Sequence, residues 1–178
     1  MAKNNDYKQL VSQISDIFVH GQKRAVFAVN SSLVETYWKI GQYIVEYEQG
    51  GNERAEYGKQ LLENLSKDLT LLHGKGFSLS NMKRMRQFYQ VFPISAELPH
   101  QLTWTHCVEL LKIDDPLERG FYLHQTINEN WSTTQLIRQK KTSLYLRLAG
   151  SKDKDGVLKL AKEELLRVIE KSQEKIEE

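Results

Sequence analysis

The segment GFSLSNMKRMRQFY, Gly76 to Tyr89, crowds Lys83, Arg84 and Arg86 between Met82, Met85 and the pair Phe88-Tyr89, with no acidic residue among them. At ~100° per residue, a helix from Leu79 to Phe92 sorts these types onto two faces. Met82, Met85, Phe88, Tyr89 and Phe92 share one arc, with Leu79 at its edge. Arg86, Gln90, Lys83, Gln87, Ser80 and Arg84 follow one another around the other, so the exposed face holds three cations, two carboxamides and a hydroxyl. A solvated face ordinarily interleaves both signs through i,i+4 pairs. From Leu69 to Ala96, however, four Lys or Arg residues stand with no Asp or Glu. That leaves a local positive field suited to phosphate. Ser80, Arg84 and Gln87 are also types that hydrogen-bond phosphates or base edges. Two plainer readings compete with nucleic-acid binding: an ordinary solvated helix, and a face that docks a protein.

A second acid-free run, Trp131 to Lys152, carries Arg138, Lys140, Lys141, Arg147 and Lys152. Arg138 and Lys141 are candidate flanking phosphate contacts there, against the plainer reading of a solvated surface beside a linker. The apolar stripe in this run is poor, and Lys141 falls within it. These local concentrations matter because the whole chain, 178 residues with 40% apolar and 27% charged, has a formal net charge of only +2. The total makes no case for a polyanion partner.

Other chemistry finds little support. Cys107 is the single cysteine, which excludes an intrachain disulfide and a thiolate zinc cage and fits a reducing cytosol. His106 and Cys107 are adjacent and diverge on a helix, so with His100 they make a poor metal site. A buried, inert cysteine is the simpler expectation. Trp38, Trp104 and Trp131 are expected in the core rather than as stacking platforms. The only Asp-x-Lys is Asp6-Tyr7-Lys8. No cofactor or metal is implied, and no window approaches the eighteen or so apolar residues that cross a membrane. The opening MAKNNDYKQL has no apolar core of a signal peptide, and a cytoplasmic protein is expected.

The elements that position the basic segment are all helical, since alternating apolar and polar residues are nearly absent. Asp6 or a neighbour can cap a first helix, and Ser31 or Ser32 a second, with Glu35 completing a capping box. One continuous helix of about forty residues is the alternative. EQGGNE ends it. A further helix covers YGKQLLENLSKDL with Leu61, Leu62, Leu65 and Leu69 inward. LLHGKGFS is then a glycine-containing turn, and Ser78 can cap the basic helix. Helix, glycine turn, helix is the outline of a helix-turn-helix, whose second helix enters the major groove. Lys75 in the turn would then touch phosphate. Beyond Pro93, Thr103, Asp115 with Pro116, and Ser132 with Gln135 are expected to cap three more helices. Residues 1–150 therefore read as one all-α domain. SKDKDG is a polar linker, and residues 151–178 end in an amphipathic helix suited to pairing with a second copy or with the helical domain.

Across LVETYWKIGQYIVEYEQGGNERAEYGKQLLENLSKDLT, GFSLSNMKRMRQFY and LTWTHCVELLKIDDPLERGFYLHQTINENWS the chain resembles the N-terminal domain of the bacterial YhcG family. The likeness runs from about Tyr7 to Leu148. It implies a helical domain associated with nucleic acid that precedes a PD-(D/E)XK nuclease domain, often near restriction-modification or mobile-element genes. The family's arginine after the methionine corresponds to Arg86. Where the family reads RQI, this chain has Arg138, Gln139 and Lys140, which puts the inward side of that helix in question. The expected protein is a nucleic-acid-binding module, for DNA before RNA, that positions a nuclease. It is not itself an enzyme. Lys75, Ser80, Lys83, Arg84, Arg86 and Gln87 form its recognition element. A helical interaction or homodimerisation domain is the rival.

Overall fold

The computed structural model describes residues 2–50, 55–92, 102–150 and 156, and among these the chain forms seven α-helices and a 3-10 turn, with no strand. The expected helix at residues 157–178 and the linker before it lie outside the described residues. Helix α1 (Ala2–Gln49) is a single rod of 48 residues. The separate helices capped at Asp6 and at Ser31 or Ser32 therefore do not form, and the continuous alternative does. No proline interrupts this stretch, and the serine region has other partners. Thr36 Oγ1 donates to the Ser32 carbonyl at 2.8 Å, while Glu35 pairs with Lys39 at 2.7 Å instead of closing a capping box. Packing holds only the second half of the rod. Val34 is its first buried residue, followed by Gly41, Ile44 and Val45.

Helix α2 (Ala55–His73) outruns its expected span at both ends and leads through a 3-10 turn (Lys75–Phe77) into α3 (Leu79–Val91). Met82, Met85 and Phe88 of α3 are wholly buried. Between them Met85 meets α1 so closely that a Cβ built on Gly41 would lie 2.1 Å from the Met85 carbonyl oxygen. Only a residue without a side chain permits that approach. Trp38 beside it donates its indole N–H to the Phe92 carbonyl, and its ring meets Tyr89 edge-on at 4.9 Å. Aromatic contacts of this kind contribute beyond their buried area.

The remaining helices stack on the far side of Phe88. They are α4 (Trp104–Leu110), α5 (Pro116–Asn128), α6 (Thr133–Lys141) and α7 (Leu144–Ala149). Their starts follow the sequence signals. Asp115 accepts from Leu117 N–H with Pro116 at the first position, and Ser132 and Gln135 form a reciprocal capping box. Thr103 caps α4 with an unusual partner, His106. The imidazole Nδ1 accepts from Thr103 N–H at 3.1 Å, and Nε2 lies 3.1 Å from the Trp131 carbonyl. These partners assign the neutral tautomer with its proton on Nε2. Nothing in the sequence marks the break between α6 and α7, where Ser143 takes a left-handed φ of 51°. Phe121, Tyr122, Leu110 and Leu136 fill the core between these helices. Trp104 and Trp131 pack against its edge, as expected of core tryptophans.

Gly41→Ala tests the helix crossing. In an exposed helix this change is favourable by about 1 kcal/mol, whereas here the added methyl meets backbone and should cost about 3 kcal/mol. Chemical denaturation that shows equal or greater stability for the variant refutes the close crossing.

His106 makes stability pH-dependent. Burial lowers its pKa below the ordinary value, partly opposed by the Trp131 carbonyl. The unfolded imidazole takes its proton near pH ~6.5 while the folded one still resists. The unfolded state thus binds more protons, and stability falls as pH drops through that region toward the lower folded value. Melting measured from about pH 7.5 to about 5.5 should show this fall. His106→Gln should melt lower at neutral pH yet lose part of the slope, and an unchanged slope would dismiss the assignment.

Candidate nucleic-acid interface

The face in question is built by the turn between α2 and α3. Gly74 has φ 87°, a left-handed value that favours glycine, and His73 and Phe77 close the turn with ring centroids 5.5 Å apart. Ser78 occupies the N-cap of α3 as expected, but its hydroxyl makes no capping bond. Asn81 ties the turn instead. Its Nδ2 donates to the Gly76 carbonyl at 3.0 Å, and its Oδ1 accepts from Arg84 Nη1 at 3.2 Å. The sequence reading passed over Asn81, although its i,i+3 spacing to Arg84 was the available signal.

From this base the candidate residues diverge in circumstance. Lys75, Ser80 and Lys83 are exposed on the turn and the first turns of α3. Arg84 is half-buried, with Asn81 orienting one of its five N–H donors and the rest of the fork available. Arg86 is differently placed. Its Nε lies 2.7 Å from Glu48 Oε2, in an ion pair that joins α3 to the end of α1. Gln87 is exposed but donates Nε2–H to the Leu111 carbonyl at 3.3 Å, closing an orphan acceptor at the end of α4. The arc of α3 thus divides into cations that face solvent and polar groups that hold the helix in place.

Arg138 and Lys141 are exposed on α6, which packs against α4, α5 and α7. Lys140 explains the departure at that helix. It is part-buried, donates to the Glu109 backbone carbonyl, and lies 3.3 Å from Glu109 Oε2. Burial raises the Glu109 carboxyl, but hydrogen bonds and charge from Lys112 and Lys140 outweigh it and hold the group below its ordinary value. An inward lysine is accommodated because an acid from α4 meets it, and Lys141 points outward instead of joining the apolar stripe.

The exposed groups of this face are cations, a hydroxyl and carboxamides. Among the described residues no three His, Cys, Asp or Glu side chains gather as a metal site. Cys107 is buried, and burial pushes its thiol up to about 12, which leaves an inert side chain. The Asp6-Tyr7-Lys8 triplet lies within α1. No described helix is long and apolar enough to cross a membrane.

Comparison with known proteins shows the family. The profile of the DUF1016 N-terminal domain matches residues 13–147. The Escherichia coli (strain K12) protein named "Putative nuclease YhcG" is 35% identical over 184 aligned residues, taking in 85% of this chain and 49% of that protein. The chain spans about half the length of that relative. No solved structure matches it. The likeness to YhcG noted in the sequence therefore stands: this chain belongs to the DUF1016 N-terminal domain family.

Proposed function

We propose that this domain binds nucleic acid, DNA in preference to RNA, and positions a nuclease domain carried by the longer relatives. One observation carries the reading. Lys75, Lys83 and Arg84 lie together on the turn and the solvent-facing side of α3, and no carboxylate pairs with them among the described residues. Glu48, the acid that meets α3, is engaged with Arg86. Cations left unneutralised on one face attract phosphate by releasing its counterions. The α2–turn–α3 order supports a helix-turn-helix mode, with α3 as the recognition helix and the Asn81–Arg84 bond orienting a guanidinium toward base edges. Ser80 and the free side of Gln87 supply neutral hydrogen bonds beside it. Arg138 and Lys141 extend the contact to flanking phosphates. Arg86 holds α3 to α1. The name of the Escherichia coli relative supports the nuclease association.

Gln substitution of Lys75, Lys83 and Arg84 together keeps helix propensity while removing three charges. Against labelled duplex, each lost phosphate contact should lower the salt slope of log K by about 0.9. Arg84→Gln should cost about 1–3 kcal/mol at one base position if it reads a base edge. Arg86→Gln is the contrasting variant. It should lower stability by about 1 kcal/mol, as a partly exposed ion pair allows, and leave the salt slope unchanged. A triple variant that binds duplex and structured RNA as tightly as the parent, with the same slope, would remove this face from the mechanism.

The same reading makes the isolated chain a binder that does not cut. A PD-(D/E)XK site needs an Asp and an acid-x-Lys pair on neighbouring strands to hold magnesium. The described residues contain no strand. Incubation with magnesium and plasmid should leave the DNA intact. Cleavage that disappears on mutating a residue of this chain would contradict it.

A further inference from the structure

The first half of α1 carries an apolar stripe that the fold leaves in water. Tyr7, Leu10, Val11, Ile14, Ile17 and Phe18 are exposed to 65%, 51%, 45%, 58%, 72% and 64%. No residue from Asp6 to Leu33 is buried. An isolated helical arm of this length is marginal in water, and its valines, isoleucines and serines are weak helix formers. At these exposures the six side chains leave on the order of 700 Å² of apolar surface. Two such arms together hold about 1,400 Å², the size of a standard specific interface.

The spacing identifies what covers it. Tyr7, Val11, Ile14 and Phe18 recur at alternating steps of four and three. Gly21, Ala25, Ala28 and Ser32 continue the same alternation without a break. This is the spacing of a two-stranded coiled-coil seam. The first four residues are bulky and the last four small. A parallel pair would crowd bulky side chains at one end and leave voids at the other. An antiparallel pair centred between Phe18 and Gly21 sets Tyr7 against Ser32, Val11 against Ala28, Ile14 against Ala25 and Phe18 against Gly21 of the second copy. Every layer then combines one large and one small side chain, which evens the packing density along the seam. Charge agrees. Within residues 7–32, Lys8 and Asp16 of the first half balance each other, and the second half holds Lys23 and Arg24. Antiparallel pairing lays the basic half of each arm over a half of no net charge instead of over its own copy, and it also opposes the two helix dipoles.

We infer that two copies of this chain associate through residues 7–32 of α1 as an antiparallel helical pair. The inference is independent of the nucleic-acid reading, since it concerns a different part of α1 and its test reads mass and geometry. Light scattering of the whole chain at micromolar concentration should give twice the 20.8 kDa of one copy. Ile14→Glu with Phe18→Glu should give a single copy that retains the thermal transition of the core. A mixture of Val11→Cys chains with Ala28→Cys chains should form disulfide-linked pairs between the two kinds and not within either. This decides the matter even if the glutamate variant fails to fold, because both cysteine changes are small and Cys107 is buried. A monomeric parent, a dimer that survives the glutamates, or Val11→Cys chains that link to themselves would each overturn the antiparallel pair.

Discussion

The contact between Gly41 and the Met85 carbonyl sets the distance between α1 and α3, and much else follows from that distance. Helix axes ordinarily lie 8–10 Å apart according to the side chains between them. With no side chain at Gly41, the backbone of α3 reaches the surface of α1. Met82 and Met85 then become fully buried, and Trp38 comes within reach of the Phe92 carbonyl. The opposite side of α3 is consequently fixed outward, which is where Ser80 and Lys83 lie. The orientation of the basic arc is thus decided by a residue on another helix, forty-odd positions away in sequence.

Electrostatics refines what packing begins. Polar side chains around α3 fall into those that close the structure and those left to solvent. Arg86 spends its Nε on Glu48, Gln87 spends an N–H on Leu111, and Asn81 bridges the turn to Arg84. Each of these bonds satisfies a group that would otherwise reduce stability or let the helix rotate. Lys75 and Lys83 take no part in such bonds among the described residues. A face on which the structural tasks belong to particular residues and the remaining cations are unneutralised differs physically from a solvated helix laced with i,i+4 pairs. Glu35–Lys39 on α1 shows what that ordinary arrangement looks like in the same molecule.

The sequence made legible whatever depends on neighbours a few residues apart. The caps at Thr103, Asp115 and Ser132, the buried arc of α3 and the inertness of Cys107 all follow from local spacing. The same logic left α1 undecided between two helices and one, because Ser31 and Ser32 are good cap types, while no proline stands there and Thr36 bonds back to the Ser32 carbonyl within one helix. Ser78 shows the limit from the other side. Its position was legible, but its hydroxyl makes no capping bond, and Asn81, whose i,i+3 spacing to Arg84 was the local signal, ties the turn. The Glu48–Arg86 pair spans 38 positions, beyond the reach of any local rule. Lys140 looked misplaced in its stripe until Glu109, from another helix, came beside it.

Continuity of α1 has a mechanical consequence. A helix of 48 residues is about 72 Å long. Its C-terminal half registers α3 through Gly41, Trp38 and Glu48, while its N-terminal half carries the exposed heptad stripe. No proline or local break lies between the two halves, so the direction of the stripe and the direction of the basic arc are set by one rigid object. Whatever grips the first half of α1 therefore also fixes where the cations of α3 point. Had Ser31 and Ser32 capped a second helix, a hinge would have uncoupled the two faces, and each could have met its partner without constraining the other. The uninterrupted rod makes the two surfaces parts of a single geometry, in which an antiparallel pair of arms would hold two basic arcs at opposite ends in a fixed two-fold relation.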